Sequence, residues 1–189
     1  MIDIENRGAI NVIKRLVGHF CTITKHKWYV FILCCKAGIP WRGLVHDLSK
    51  YSPTEFWEGV KYYQGTRSPI ERCKEQEGYS KAWLHHKGRN KHHFDYWHDF
   101  ETSKELIIIP YVYTIEIICD NLAAGIVYNG KNWTKKTQLN YWKYVQNKDY
   151  IHPKIQAFMG AVYREISQKG IKDVIRKEHL RDLYFTFCS

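Results

Sequence analysis

The sequence predicts an all-α protein, a single-domain helical bundle, and three observations carry that reading. Glycine, proline and asparagine cut the chain into segments whose apolar residues recur every three to four positions. No run shows the sustained period-2 alternation of β-branched and aromatic residues that strands require. The 189 residues, 44% hydrophobic and 25% charged, supply one core, and no repeat, low-complexity tract or second-domain boundary divides them.

The first long helix is expected over about 10–37, stopped by Gly38 and Pro40, with an inward stripe of Leu16, Phe20, Ile23, His26, Val30, Leu33 and Ala37. A short helix from Pro40 carries Leu44 to Leu48, including His46 and Asp47, and its leucines and Val45 hold it to the core. Ser52-Pro53 and Ser68-Pro69, each followed by Glu, mark two further starts with a capping hydroxyl before proline. The second of these helices runs toward His86 and breaks at Lys87-Gly88-Arg89-Asn90, ahead of a short helical segment with His92, His93 and Trp97. A long helix follows from about Ser103 to Tyr128 with Pro110 in its first turns and a stripe of Leu106, Ile109, Tyr113, Ile117, Asp120, Ala124 and Val127. Thr134, Pro153 and the stretch 171–187 supply the C-terminal helices behind a site-bearing region of about 20–130.

Lys and Arg number 29 against 19 Asp and Glu, so the surface attracts an anion: a phosphorylated small molecule, nucleic acid or a membrane face. Trp28 to Cys35 and Leu106 to Pro110 fall far short of the roughly 20 residues of a membrane span, so none is expected. The first residues lack a basic start with an apolar run behind it, and the expected compartment is the cytosol. Six cysteines without CxxC spacing read as free thiols, with Cys34, Cys35 and Cys119 as small core hydrophobes. The tryptophans Trp28, Trp41, Trp57, Trp83 and Trp97 read as packing residues.

Six of the ten histidines, His26, His46, His85, His86, His92 and His93, fall at positions expected to face inward. A buried imidazole, and still more a buried carboxylate such as Asp120 between Ile117 and Ala124, needs a partner, and a divalent metal supplies one. His46-Asp47 on one helix would point about 100° apart. Both serve one site only in a crevice, where the carboxylate bridges two ions.

His26, His46-Asp47 and Asp120 resemble the signature of the HD-domain superfamily, helical metal-dependent phosphohydrolases with di-iron oxygenase relatives. HDLSK at 46–50 resembles the form found in branches that add histidines between the second and last elements, and WLHHKGRNKHHFDYW at 83–97 offers them. With HKWYV, AGIPWRGLVHDLSKYSP and ICDNLAAG, the chain looks closer still to an uncharacterised bacterial and phage family within the superfamily, over about 20–160.

The resemblance implies metal ligands His26, His46, Asp47, His86, His93 and Asp120, with His85 and His92 as alternates, since sequence does not say which member of each pair faces inward. It implies one or two divalent ions, with Fe, Mn, Mg, Ni and Zn all compatible. Lys50 and Arg89 are expected to neutralise an anionic substrate beside Asp47, and Glu116, one turn before Asp120, to act as a general base or support a ligand. His19, His98, His152 and His179 are left as surface or structural. Three functions follow: a hydrolase of a phosphate ester or nucleotide, a di-iron oxygenase on the same ligands, and a non-enzymatic basic module binding nucleic acid or another partner. The oligomeric state is not encoded in any pattern found.

Overall fold

A computed structural model describes residues 2–98 and 106–189, with side chains from residue 11 onward. The described residues contain ten α-helices and no strand, as the periodicity required. They are α1 (Ile2–Lys36), α2 (Pro40–Val45), α3 (Pro53–Tyr62), α4 (Pro69–Glu77), α5 (Lys81–Lys87), α6 (Tyr111–Asn129), α7 (Thr137–Val145), α8 (Pro153–Lys169), α9 (Ile171–Val174) and α10 (Lys177–Cys188). Short 3-10 turns occupy Leu48–Tyr51, Phe94–Trp97 and Gly130–Asn132.

Helix α6 is the axis of the molecule. Ile115, Ile118, Cys119, Leu122 and Ala123 are fully buried around its circumference, among Val30 and Leu33 of α1, Trp142 of α7, Phe158, Met159 and Val162 of α8, and Leu180 of α10. Each of the large aliphatic and phenylalanine side chains contributes about 1.5–3 kcal/mol by leaving water. Surrounded in this way, α6 is a fixed rod. Glu116 and Asp120, four residues apart, therefore project from one face of an immobile support.

Several boundaries differ from the sequence reading, each for a local reason. Helix α6 starts at Tyr111, after Pro110, because proline pushes the residue before it out of the helical region and lacks an N–H to donate. Ile109 is still buried, in extended chain, and its carbonyl accepts from Tyr184 Oη at 2.7 Å and Thr114 Oγ1 at 2.9 Å. The expected start at Ser103 lies outside the described residues. The helix expected to run from Ser68 toward His86 is two helices, split where Gly78 takes a left-handed conformation, φ 79°, and Ser80 caps α5 by accepting from Trp83 N. Ser52 and Ser68 do occupy N-cap positions, but neither makes the expected side-chain cap bond. The C-terminal stretch is likewise divided between α9 and α10.

Of the predicted α1 stripe, Ile23, His26, Val30, Leu33 and Ala37 are buried, whereas Phe20 is exposed. Leu44 and Leu48 are also exposed, so they do not hold α2 to the core. Gly43 does so instead. A Cβ there would meet Cys34 Cβ at 2.7 Å and the Phe31 Cα at 2.8 Å, so only glycine lets α2 lie directly on α1. Cys35, Trp28, Trp41 and Trp57 are exposed rather than packed. No described helix is long and apolar enough to cross a membrane.

Gly43→Ala must push α2 off α1 against backbone that cannot yield. The expected loss in chemical denaturation is about 1–3 kcal/mol, the range for overpacking.

Candidate metal centre

The site begins where α2 stops. His46 leaves helical geometry at φ −52°, ψ 129°, and Asp47 follows at φ 54°, ψ 25°. Asp47 is the one non-glycine described residue with positive φ, a conformation that aspartate tolerates better than most residues but at a cost of about 1–2 kcal/mol. The expected continuous helix would have pointed His46 and Asp47 apart; the break turns both into one crevice. Lys27 of α1 holds the break by donating from Nζ to the His46 carbonyl at 2.9 Å and to that of Leu44.

Asp47 is 2% exposed, and two sets of groups converge on its carboxylate. On one side, Oδ2 lies 3.2 Å from His46 Nε2 and 3.8 Å from His26 Nε2, while Asp120 Oδ1 lies 3.0 Å from His26 Nε2 and 3.5 Å from His46 Nε2. On the other, Oδ1 lies 3.3 Å from both His86 Nε2 and His92 Nε2, with the His93 ring tilted against both, 4.2 Å from His92 and 4.8 Å from His86 between ring centres. Each four-residue set offers one ligand atom per residue, all within 4.8 Å of one another, and Asp47 belongs to both. Ligand atoms about 2.1 Å from a tetrahedral ion stand about 3.4 Å apart, and the nitrogen–oxygen pairs above, at 3.0 to 3.8 Å, bracket that spacing.

A layer of carboxylates orients these imidazoles from behind. Glu116, wholly buried, lies 3.0 Å from His46 Nδ1 and 3.3 Å from His92 Nδ1, and its other oxygen accepts from Arg42 Nε at 2.7 Å. Glu55, from the first turn of α3, faces His86 Nδ1 at 2.7 Å and His85 Nδ1 at 2.6 Å. With Nδ1–H donated to carboxylate, the Nε2 lone pairs of His46 and His86 point at the Asp47 side. Asn90 adds support, donating to the His86 carbonyl and to Ser49 Oγ.

Burial and the neighbouring charges together set the protonation of the cluster. Burial opposes the charge on Asp47, but His46, Lys50 and His86 hold its carboxyl well below the usual range. Burial likewise opposes ionisation of Asp120, and His26 and His46 outweigh it. Burial and the Lys50 ammonium keep His26 low, and burial with His92 and His86 keeps His93 low, so both are neutral and able to ligate. His26 Nε2, His46 Nε2, both oxygens of Asp47, both nitrogens of His92 and His93 Nε2 are buried without a well-directed hydrogen bond. A buried polar atom left wholly uncompensated costs about 1–3 kcal/mol. These residues fit a divalent ion.

The structure thus brings together His26, His46, Asp47, His86, His93 and Asp120, all six expected ligands. It also brings in His92, so the second pair contributes both imidazoles. His85 does not join them: it turns to Glu55 and lies partly open to solvent. Lys50 is where it was expected, with Nζ 2.6 Å from Asp47 Oδ2. Arg89 is not; it is exposed and donates to the His85 carbonyl one turn back. Glu116 points at the Nδ1 atoms of His46 and His92 and at Arg42 rather than at open space, so it is not placed as a general base, and with those two histidines it forms a third group whose atoms could hold an ion. Sequence reasoning missed Glu55, read only as a helix start, and assigned no role to Arg42 or Lys27. The one available signal was Glu55 in a Ser-Pro-x-Glu start whose helix must face the histidines. His19, left as surface or structural, is buried.

A family model described as a family of unknown function, DUF5662, matches residues 16–165, far more than half the chain. The chain belongs to this family. No curated protein and no solved structure matches it. The DUF5662 match spans every residue of the two ligand sets, from His26 to Asp120.

Two outcomes are expected of this DUF5662 protein. Glu116→Gln removes the counter-charge of Arg42 and keeps one acceptor oxygen where two serve Arg42 and His46, so one of them faces an amide NH2; by titration calorimetry, metal affinity should fall about 10–100-fold, the usual effect of losing such a support. The second concerns pH. His46 is held well above, and His86 above, the ordinary histidine value, because Asp47 and the carboxylates behind them outweigh burial. A proton on a ligating nitrogen excludes a metal, so uptake must release protons, and affinity should rise with pH through and above neutrality. Calorimetry in buffers of different ionisation enthalpy measures that release.

Proposed function

We propose that this protein is a metal-dependent hydrolase of a phosphate ester or nucleotide, with a dinuclear centre arranged as in the HD-domain proteins it resembles. One observation carries the reading: the two oxygens of Asp47 face two different imidazole sets, the disposition required of a carboxylate shared by two ions. His26, His46 and Asp120 would hold one ion, and His86, His92 and His93 the other. Ions bound there would supply Lewis acidity, lowering the pKa of a water and polarising phosphoryl oxygens. The chain's own residues do the rest. Glu116 and Glu55 fix the imidazole tautomers, and the Lys50 ammonium, which Asp47 and Asp120 hold well above its ordinary range against burial, stays charged to offset the negative charge of the substrate. The formal charge of +10 favours encounter with such a substrate.

A second reading, a di-iron oxygenase on the same ligands, is favoured by one specific feature. Three imidazoles in the His86, His92, His93 set suit iron, whereas magnesium prefers oxygen donors. Iron with an oxygen-sensitive visible band and no phosphate release would select this reading.

Elemental analysis of protein purified without air, with a screen of nucleotides and phosphorylated small molecules, tests the proposal. Two metals per chain and phosphate release are expected. Asp47→Asn keeps a side chain that tolerates the left-handed backbone. It should lose at least one ion and hydrolysis by about 100-fold or more, with an unchanged circular dichroism spectrum. Full activity in that variant would refute the reading.

A further inference from the structure

A cavity of about 60 Å³ lies beside the centre, enclosed by α1, α3, the start of α4 and the end of α6. Its polar lining is His19, Lys50, Glu55, Glu58, Ser68 and Tyr128. Neither acid is free. Glu55 is taken by His85 and His86, and Glu58 caps α5, accepting from Ser80 Oγ and from the backbone N–H groups of Lys81 and Ala82. The groups left to meet a ligand are donors.

Lys50 contributes an ammonium. Ser68, the N-cap of the nine-residue helix α4, spends its hydroxyl on no cap bond, and the unpaired N–H groups and positive dipole end of α4 begin there. His19 is the independent observation. It is 5% exposed, lies between Phe56 and Tyr63, and its Nδ1 is buried with no hydrogen-bond partner. Gly59 makes room for it: a Cβ there would stand 2.3 Å from His19 Nε2. A buried imidazole without a partner weakens the fold, and leucine would fill the same space better. Burial and Lys50 push its pKa down to about 4, so near neutral pH it is an uncharged ring with one N–H to donate.

We propose that this cavity binds a tetrahedral oxyanion, the anchoring phosphate of the substrate, with His19, Lys50, Ser68 and the N-terminus of α4 as its donors. The site is separate from the metal ligands but continuous with them through Lys50, which touches Asp47. As the anchor of a substrate the pocket rests on the reading of the centre as a hydrolase; as an anion site it stands by itself.

The test is titration calorimetry of the purified full chain with inorganic phosphate, with metal content measured on the same samples. Ser68→Asp places a good N-cap residue at the start of α4, so the helix keeps its stability while a carboxylate occupies the anion position. His19→Leu removes the donor and keeps the packing. Phosphate affinity should fall about tenfold or more in Ser68→Asp and severalfold in His19→Leu, with melting temperatures equal to or above that of the parent. Phosphate binding unchanged in both variants would overturn the proposal, because phosphate would then be held by the metals alone. Absence of metal from all samples would instead sink the reading of the centre and leave the phosphate comparison intact.

Discussion

The arrangement turns on one buried carboxylate. Asp47 sits in a left-handed backbone conformation, almost out of contact with water, and a charge in that position is tolerable only if its surroundings compensate it. Four imidazoles and one ammonium stand within 4 Å of its two oxygens. They come from α1, the α2 break, the turn after it, α5 and the loop behind α5. Each of these elements must be in place for the charge to be tolerated. Local strain at Asp47 and long-range packing are therefore one problem, solved together.

The division of labour among the helices follows from that constraint. The C-terminal helices α7, α8 and α10 bring almost nothing to the ligand sets, but they enclose α6 and make it rigid. Rigidity matters because α6 carries both Asp120, a member of one candidate ligand set, and Glu116, which lies behind His46 and His92. Arg42 joins α2 to the same glutamate and lies 4.9 Å over the Tyr113 ring, so α2 is referenced to the axis and not only to α1. Carboxylate behind imidazole is a pattern in which His46 and His86 have their tautomers set by the layer beneath them.

Much of the site could be read from the chain because a polar group on an apolar helical stripe is conspicuous. His26 among Ile23, Val30 and Leu33, and Asp120 between Ile117 and Ala124, stand out in this way and both are ligand-set members. His92 was harder. It lies on a turn, where no periodicity says which way a side chain faces, so His92 and His93 could not be separated and both proved to point inward. Glu55 and Arg42 were invisible because their partners are 31 and 74 positions away in sequence. A surface-looking charge becomes a support only when another element folds onto it.

The sequence by itself determined that the chain is helical, where the helices opened by Pro40, Pro53, Pro69 and Pro153 start, and which polar residues lie on apolar stripes. Those properties are local: they depend on side-chain period, on proline and glycine, and on the chemistry of a single residue. Tertiary structure alone decided that Asp47 faces two imidazole sets, that His85 and Arg89 turn away, and that His19 meets Lys50 across a cavity. Direction is set by φ and ψ at one break and by how closely α2 lies on α1, and neither follows from composition or period. A single residue in left-handed geometry reversed the orientation that helical spacing would have given.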